Sequence, residues 1–185
     1  MPDIAFLGDK TFLYEKLFKE AGADCRFIPP GLLASPFLPQ FKMLMIPTGF
    51  ANSQYSDALK ALSSARSRIE EFVKKGGVLV VFGPLVLDHD YPWLPVNLNY
   101  FGEYSERQTL ESSGAESSCL CKAGDCDGYL ATDDIMQPVL KDEKGRTVLA
   151  EGRYGEGCII ATSVHEFPSV QFIRLALSRG KLSKL

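Results

Sequence analysis

The chain holds only two histidines, His89 and His165, and each follows a stretch expected to end on the same edge of a sheet. Carboxylates stand beside both: Asp88 and Asp90 flank His89, and Glu166 follows His165. Imidazole and carboxylate together could hold a divalent metal or move protons, so His165 and Glu166 are the candidate catalytic residues. The competing reading makes Asp88-His89-Asp90 a solvated loop and His165 a hydrogen-bonded structural residue. It is preferred, because nearness to one edge is not coordination geometry, and no metal or other cofactor is assigned. The thiols get the same treatment. Cys119 and Cys121 stand two apart, with Cys126 between Asp125 and Asp127, but that is not a common zinc spacing and no histidine is near. Half-buried structural thiols are the simpler reading, and Cys25 and Cys158 fall inside expected strands.

The elements that must position these groups centre on residues 69–90, IEEFVKKGGVLVVFGPLVLDHD. Lys74 and Lys75 suit the negative end of a helix, and a following Gly suits a left-handed cap. Five apolar residues over 78–82 are too few for a helix and do not alternate. They suit a strand buried on both faces of a parallel sheet. Ligands bind beyond the carboxyl ends of such strands, which places Gly83, Pro84, Leu85, Asp88 and His89 among the candidate ligand-binding residues.

The rest of the chain reads in sequence as strand, helix, strand over 3–28, with Thr11 as the first helix cap. A proline-rich loop over 29–40 and a third strand over 41–46 follow. That strand runs into Pro47-Thr48-Gly49, and Thr48 and Gly49 join the ligand-binding candidates. One long helix is expected from about 56 to 75. This order calls for an α/β sheet with right-handed crossovers. Residues 91–144 read as an insertion of short antiparallel strands, its aromatics Tyr91, Trp93, Tyr100, Phe101 and Tyr104 more suited to core than to a pocket. Strands over 147–153 and 158–163 form a hairpin through Tyr154-Gly155-Glu156-Gly157, ahead of His165 and a last helix. Arg174, Arg179, Lys181 and Lys184 read as a solvated basic helix end.

Composition narrows the function classes. The chain has 185 residues, 45% hydrophobic and 23% charged, which fits one soluble domain with a sizeable core. A net charge of −3 gives no basic face for nucleic acid. No apolar run is long enough to cross a bilayer, and the first residues lack a positive leader. A cytoplasmic protein with reduced thiols is therefore expected.

The Pro-x-Gly loop after the third strand, the Gly-Gly entry into strand 78–82, the Tyr-Gly-x-Gly hairpin and the strand leading to His165-Glu166 carry a resemblance. In that order they resemble the class I glutamine amidotransferase-like superfamily, in the broad sense that includes trehalose-utilisation-type relatives. The resemblance implies a flavodoxin-like three-layer sandwich. It would have a mainly parallel central sheet, an antiparallel C-terminal hairpin and a β-rich insertion over about 91–145, all within one domain over 1–185. In active members a cysteine sits on the turn after the strand matching 78–82. Here that turn reads Gly83-Pro84-Leu85-Val86, so the nucleophile is missing. His165 matches the base. The Glu that orients it usually lies two positions on, where this chain has Phe167, with Glu166 adjacent instead. Thr48-Gly49 matches the loop that offers backbone N–H groups to an oxyanion, unless Gly49 serves only a tight turn.

Three functions follow as expectations. The first is a non-catalytic domain that binds a small molecule or a protein partner at the carboxyl edge. The second is a hydrolase or lyase rebuilt around His165 with Glu166, or with Asp88 and Asp90. The third is a structural or assembly subunit, with a homodimer packing through the insertion.

Overall fold

The computed structural model describes residues 2–165 and 167–185. In chain order the strands begin with β1 (Ile4–Leu7), β2 (Cys25–Ile28), β3 (Gln40–Phe41), β4 (Met43–Ile46), β5 (Val78–Val81) and β6 (Asp88–Asp90). They continue with β7 (Leu98–Thr109), β8 (Glu111–Ser112), β9 (Ala123–Thr132), β10 (Gln137–Lys141), β11 (Thr147–Tyr154), β12 (Gly157–Thr162) and β13 (Ser183–Lys184). The helices are α1 (Phe12–Ala21), α2 (Ala58–Ser64), α3 (Arg66–Lys74) and α4 (Val170–Arg179).

Among the described residues one eleven-stranded sheet runs β2-β1-β4-β5-β12-β11-β9-β7-β6, with β10 and β8 attached beside β11. β1 pairs with β2 and β4, and β5 with β4 and β12, all in parallel. Every pairing past β12 in this sheet is antiparallel. This corrects the expected flavodoxin-like sandwich with a mainly parallel sheet. Once β11 folds back on β12 through Gly155 (φ 61) and Glu156, each later neighbour joins in the antiparallel sense. Residues 91–144 are not an insertion of short pieces either. They supply β7 and β9, of twelve and ten residues, which continue the main sheet.

The parallel half explains its own burial. β1, β4 and β5 are buried at every position, and alternate side chains enter opposite faces. Leu44, Ile46, Leu79, Val81 and Ile159 meet Leu62, Ile69, Phe72 and Val73 of α2 and α3. Met43, Met45, Val78, Val80 and Ile160 meet Phe18 of α1 and Phe172, Ile173 and Ala176 of α4. Each fully buried Phe of this set contributes on the order of 1.5–3 kcal/mol.

The helix expected over 56–75 is two. Ala65 leaves the helical region at φ −95, ψ 8, and α3 restarts from it. α3 ends through Gly76 (φ 106), and a side chain on Gly77 would stand 2.4 Å from the Phe72 ring. The Gly-Gly pair therefore both turns the chain and lets Phe72 lie over the start of β5. Of the basic residues at this end, Arg174, Lys181 and Lys184 are exposed, as expected, and Arg179 is half-buried; all four also have partners. Arg179 pairs with Glu151 at 2.8 Å and Glu116 at 3.1 Å, and Lys181 with Glu156 at 2.8 Å. Arg174 donates to the Glu20 carbonyl, and Lys184 to the Leu38 carbonyl.

Candidate functional site

β1, β4, β5 and β12 run parallel, so their carboxyl ends share one edge. The turn after β5 lies there. Leu85 adopts φ 54, a left-handed conformation that costs a non-glycine residue about 1 kcal/mol or more. Its carbonyl accepts from Asn52 Nδ2 at 3.1 Å. Its Cδ1 lies 3.4 Å from where a Gly49 side chain would start, so Leu85 packs over Gly49. Strained strand-to-loop turns of this kind can present a nucleophile, and here the side chain presented is a hydrocarbon. Gly49 does take a left-handed φ of 86, and its N–H donates to the Gly83 carbonyl at 2.8 Å. That donor is committed to the chain and does not face an oxyanion.

His165 follows β12 on the same edge and is held at three points. Its backbone N–H donates to the Asp125 carbonyl at 2.9 Å, and Val164 bridges to Cys126. Its Nδ1 lies 2.8 Å from Asp127 Oδ1. The Asp127 side chain is only 4% exposed and the His165 side chain 52%. Asp127 is fixed in turn: its N–H donates to the Ser163 carbonyl, and the Tyr100 hydroxyl donates to its own carbonyl at 2.8 Å. Burial pushes the Asp127 carboxyl above its ordinary range, against the opposing pull of His165. Its Oδ2 is buried beside Gly83 and has no hydrogen-bond partner among the described residues. Asp125, half-buried nearby, accepts from the Arg107 N–H at 2.8 Å and the Tyr104 hydroxyl at 2.7 Å, which hold its carboxyl below the usual range.

The other expected residues are not gathered here. Among the described residues no hydrogen bond or ring contact joins His89 to His165. The His89 ring meets Tyr91 at 4.8 Å and Phe50 at 5.5 Å edge-on, and its buried Nε2 has no partner. Burial lowers its pKa. Asp88 and Asp90 are exposed on edge strand β6, where Asp90 accepts from Asn99. Glu166 lies outside the described residues. The carboxylate in contact with His165 is Asp127, which is not among the candidates named from sequence. The signal available was Asp125-Cys126-Asp127: in a strand the two Asp share a face opposite Cys126, and an Asp continuing into apolar strand residues is rarely left buried without a role.

Burial governs the thiols for which a shift is resolved. Cys119 lies in a short 3-10 turn over Glu116–Leu120. Burial pushes the Cys126 and Cys25 thiols up to about 12 and Cys158 to about 11, so all three stay protonated near neutrality. Cys25 and Cys158 lie in β2 and β12, inside strands as expected, and are half-buried.

A second feature of this edge is a crevice of about 630 Å³ at the ends of β1 and β4. Gly8, Asp9 and Thr11 line it after β1, and Pro47 and Thr48 after β4. β1 connects to β2 on one side and the chain then crosses to β4 on the other, so this is the switch point of the parallel strands. Its far wall is the segment before α2, with Ser53, Gln54, Tyr55, Ser56 and Asp57. Neither Asp9 nor Asp57 makes a hydrogen bond or ion pair through its side chain among the described residues, and Asp57 does not cap α2. No Lys, Arg or His lines the crevice. Of the candidates named from sequence, Thr48 reaches it, whereas Gly83, Pro84, Asp88 and His89 do not.

No protein-family model matches the sequence, and no curated protein matches it. Solved structures are similar in fold. A beta-galactosidase from Bacillus circulans sp. alkalophilus matches with TM-score 0.61 and 13% identity over 96% of this chain and 30% of that one. A cytoplasmic protein from Salmonella typhimurium matches with TM-score 0.59 and 11% identity over 97% of this chain and 99% of that one. A second, from Salmonella typhimurium LT2, matches with TM-score 0.58 and 13% identity over 96% and 99%. The chain therefore spans about 30% of the length of the galactosidase and nearly all of the two cytoplasmic proteins. These structures stand in place of the expected glutamine amidotransferase-like relatives, and that recognition is corrected. Among the described residues no helix is long and apolar enough to cross a membrane. At such identities the likeness is one of fold: a mixed, mostly antiparallel sheet carried also by part of a beta-galactosidase and by two cytoplasmic proteins.

Proposed function

We propose that this chain is a binding domain whose ligand is a small, neutral, hydroxyl-rich molecule held in the crevice between β1 and β4. The observation that carries the reading is the crevice itself, about 630 Å³ at the switch point of the parallel strands. Its lining matches the ligand class. Thr11, Thr48, Ser53 and Ser56 offer hydroxyls, Asp9 and Asp57 unpaired acceptors, and Tyr14 and Tyr55 aromatic surface. With no cation in the lining, an anionic ligand has nothing to neutralise it. The absence of a nucleophile after β5, and the commitment of the Gly49 N–H to Gly83, support binding over covalent chemistry at that turn. The galactosidase among the fold neighbours makes a sugar the first class to assay. We place the domain in the cytoplasm, in keeping with the two cytoplasmic proteins of the same fold, and assign it neither nucleic acid nor membrane as partner.

Titration of the isotopically labelled chain with neutral monosaccharides, followed by amide NMR, tests this. Saturable shifts confined to Gly8–Thr11, Thr48 and 53–57, lost in Asp57→Ala, are expected. Saturable shifts centred elsewhere, or none in any sugar, would overturn it.

A further inference from the structure

We propose that His165 and Asp127 form a general-base pair that hydrolyses small neutral carboxylic esters by direct attack of water. The site is independent of the β1–β4 crevice. An ionised Asp127 can only accept, so the 2.8 Å contact places the proton on His165 Nδ1 and leaves Nε2 as the basic nitrogen. The ring is half exposed, and with Nδ1 taken Nε2 is the nitrogen open to a reactant. The backbone ties of His165 to Asp125, and of Asp127 to Ser163, hold both partners to β9 and fix their relative position.

Two further observations point to a reactive rather than a structural pair. Asp127 Oδ2 is buried with no partner, a state that costs stability and that a merely structural carboxylate would not require. And the groups facing His165 are acidic: Asp127 by contact and Asp125 through space, the latter anchored by Tyr104 and the Arg107 N–H. Both carboxylates stabilise an imidazolium formed during reaction and repel an anionic substrate. With Leu85 on the neighbouring turn and the Cys126 thiol beside Asp127 buried and pushed up to about 12, water is the nucleophile the step uses.

The step balances without a cofactor. His165 Nε2 takes a proton from water as the water oxygen bonds to the ester carbon, and the carbonyl π pair moves onto its oxygen. When that pair returns, the C–O bond to the alcohol breaks, and the imidazolium gives its proton to the departing oxygen. The products are one carboxylic acid and one alcohol, with His165 neutral again. His165 is the catalytic residue and Asp127 its positioning residue.

The full chain is assayed with 4-nitrophenyl acetate across the pH range of imidazole titration, alongside His165→Gln and Asp127→Asn. Wild-type kcat/KM should exceed that of His165→Gln by about a hundredfold. Asp127→Asn should lose at least about tenfold in kcat with KM little changed, because the imidazole loses the carboxylate that orients it. Hydrolysis unchanged in His165→Gln, or an Asp127→Asn profile that superposes on wild type, overturns the proposal. Should Asp127→Asn not fold, nitrogen-15 shifts of the wild-type imidazole decide: an Nδ1–H tautomer supports the pair, and an Nε2–H tautomer overturns it.

Discussion

Gly128 follows the buried Asp127 on β9 and faces Gly102 of β7 in the ladder. A methyl group there would stand 2.1 Å from the Phe101 carbonyl oxygen and 2.8 Å from the Tyr100 ring. The first obstacle is backbone, so no rotamer change relieves it, and β7 must retreat by roughly 1 Å to restore an ordinary contact. That retreat strains the bond from the Tyr100 hydroxyl to the Asp127 carbonyl at 2.8 Å. Overpacking of about 2 kcal/mol plus one weakened buried hydrogen bond of about 1 kcal/mol gives about 3 kcal/mol for Gly128→Ala. In a domain of this size that corresponds to a Tm lower by roughly 6–12 °C. Urea and thermal unfolding by circular dichroism measure it, with Gly31→Ala as control, since a side chain on Gly31 meets nothing within 4 Å. Gly128→Ala within about 1 kcal/mol of wild type would show that β7 and β9 are not as closely apposed as described, and the rigid setting of Asp127 would go with it.

Asp127 also makes stability depend on pH. Its folded pKa is raised, chiefly by burial, so the folded chain holds this proton more tightly than the unfolded one. Its contribution is greatest below the unfolded value of about 3.9, declines as pH rises to the folded value, and stays at the lower level above it. Asp127→Asn should flatten that decline in urea midpoints taken from about pH 4 upward, and an unchanged slope contradicts the assignment. The Cys126 thiol, buried and pushed up to about 12, should escape iodoacetamide at about pH 8 in the native chain and react once urea unfolds it. Peptide mass spectrometry reads this, and native labelling of Cys126 would refute its burial. Arg179→Ala should cost about 1 kcal/mol in urea unfolding, and less in molar salt, because Arg179 joins Glu151 and Glu116. No loss at low salt would mean that the pairs contribute nothing.

What could be read from sequence divides at β12, for a physical reason. β1, β4 and β5 are buried on both faces, so their apolar runs announce them. β7 is buried only at Leu98 and Tyr100, and its outer residues, ending Ser105-Glu106-Arg107-Gln108-Thr109, are exposed or half-exposed. That segment is a strand because β9 pairs with it, not because its side chains need burial, and no hydrophobic period could show it. The same blindness hid the partner of His165. The carboxylates considered from sequence were Glu166, Asp88 and Asp90, neighbours of the two histidines along the chain. The one in contact lies 38 positions earlier, on β9, within the stretch expected to hold only short strands. Because β9 begins at Ala123, Asp127 falls among the residues this strand buries, with Cys126 facing the other way. An Asp at such a position needs a partner, and the sequence contains only two histidines that could share its charge. One of them, His89, is already enclosed by Phe50 and Tyr91. Locating a polar residue where a sheet must bury it is therefore a sharper guide to this edge than listing the charged residues adjacent to a histidine.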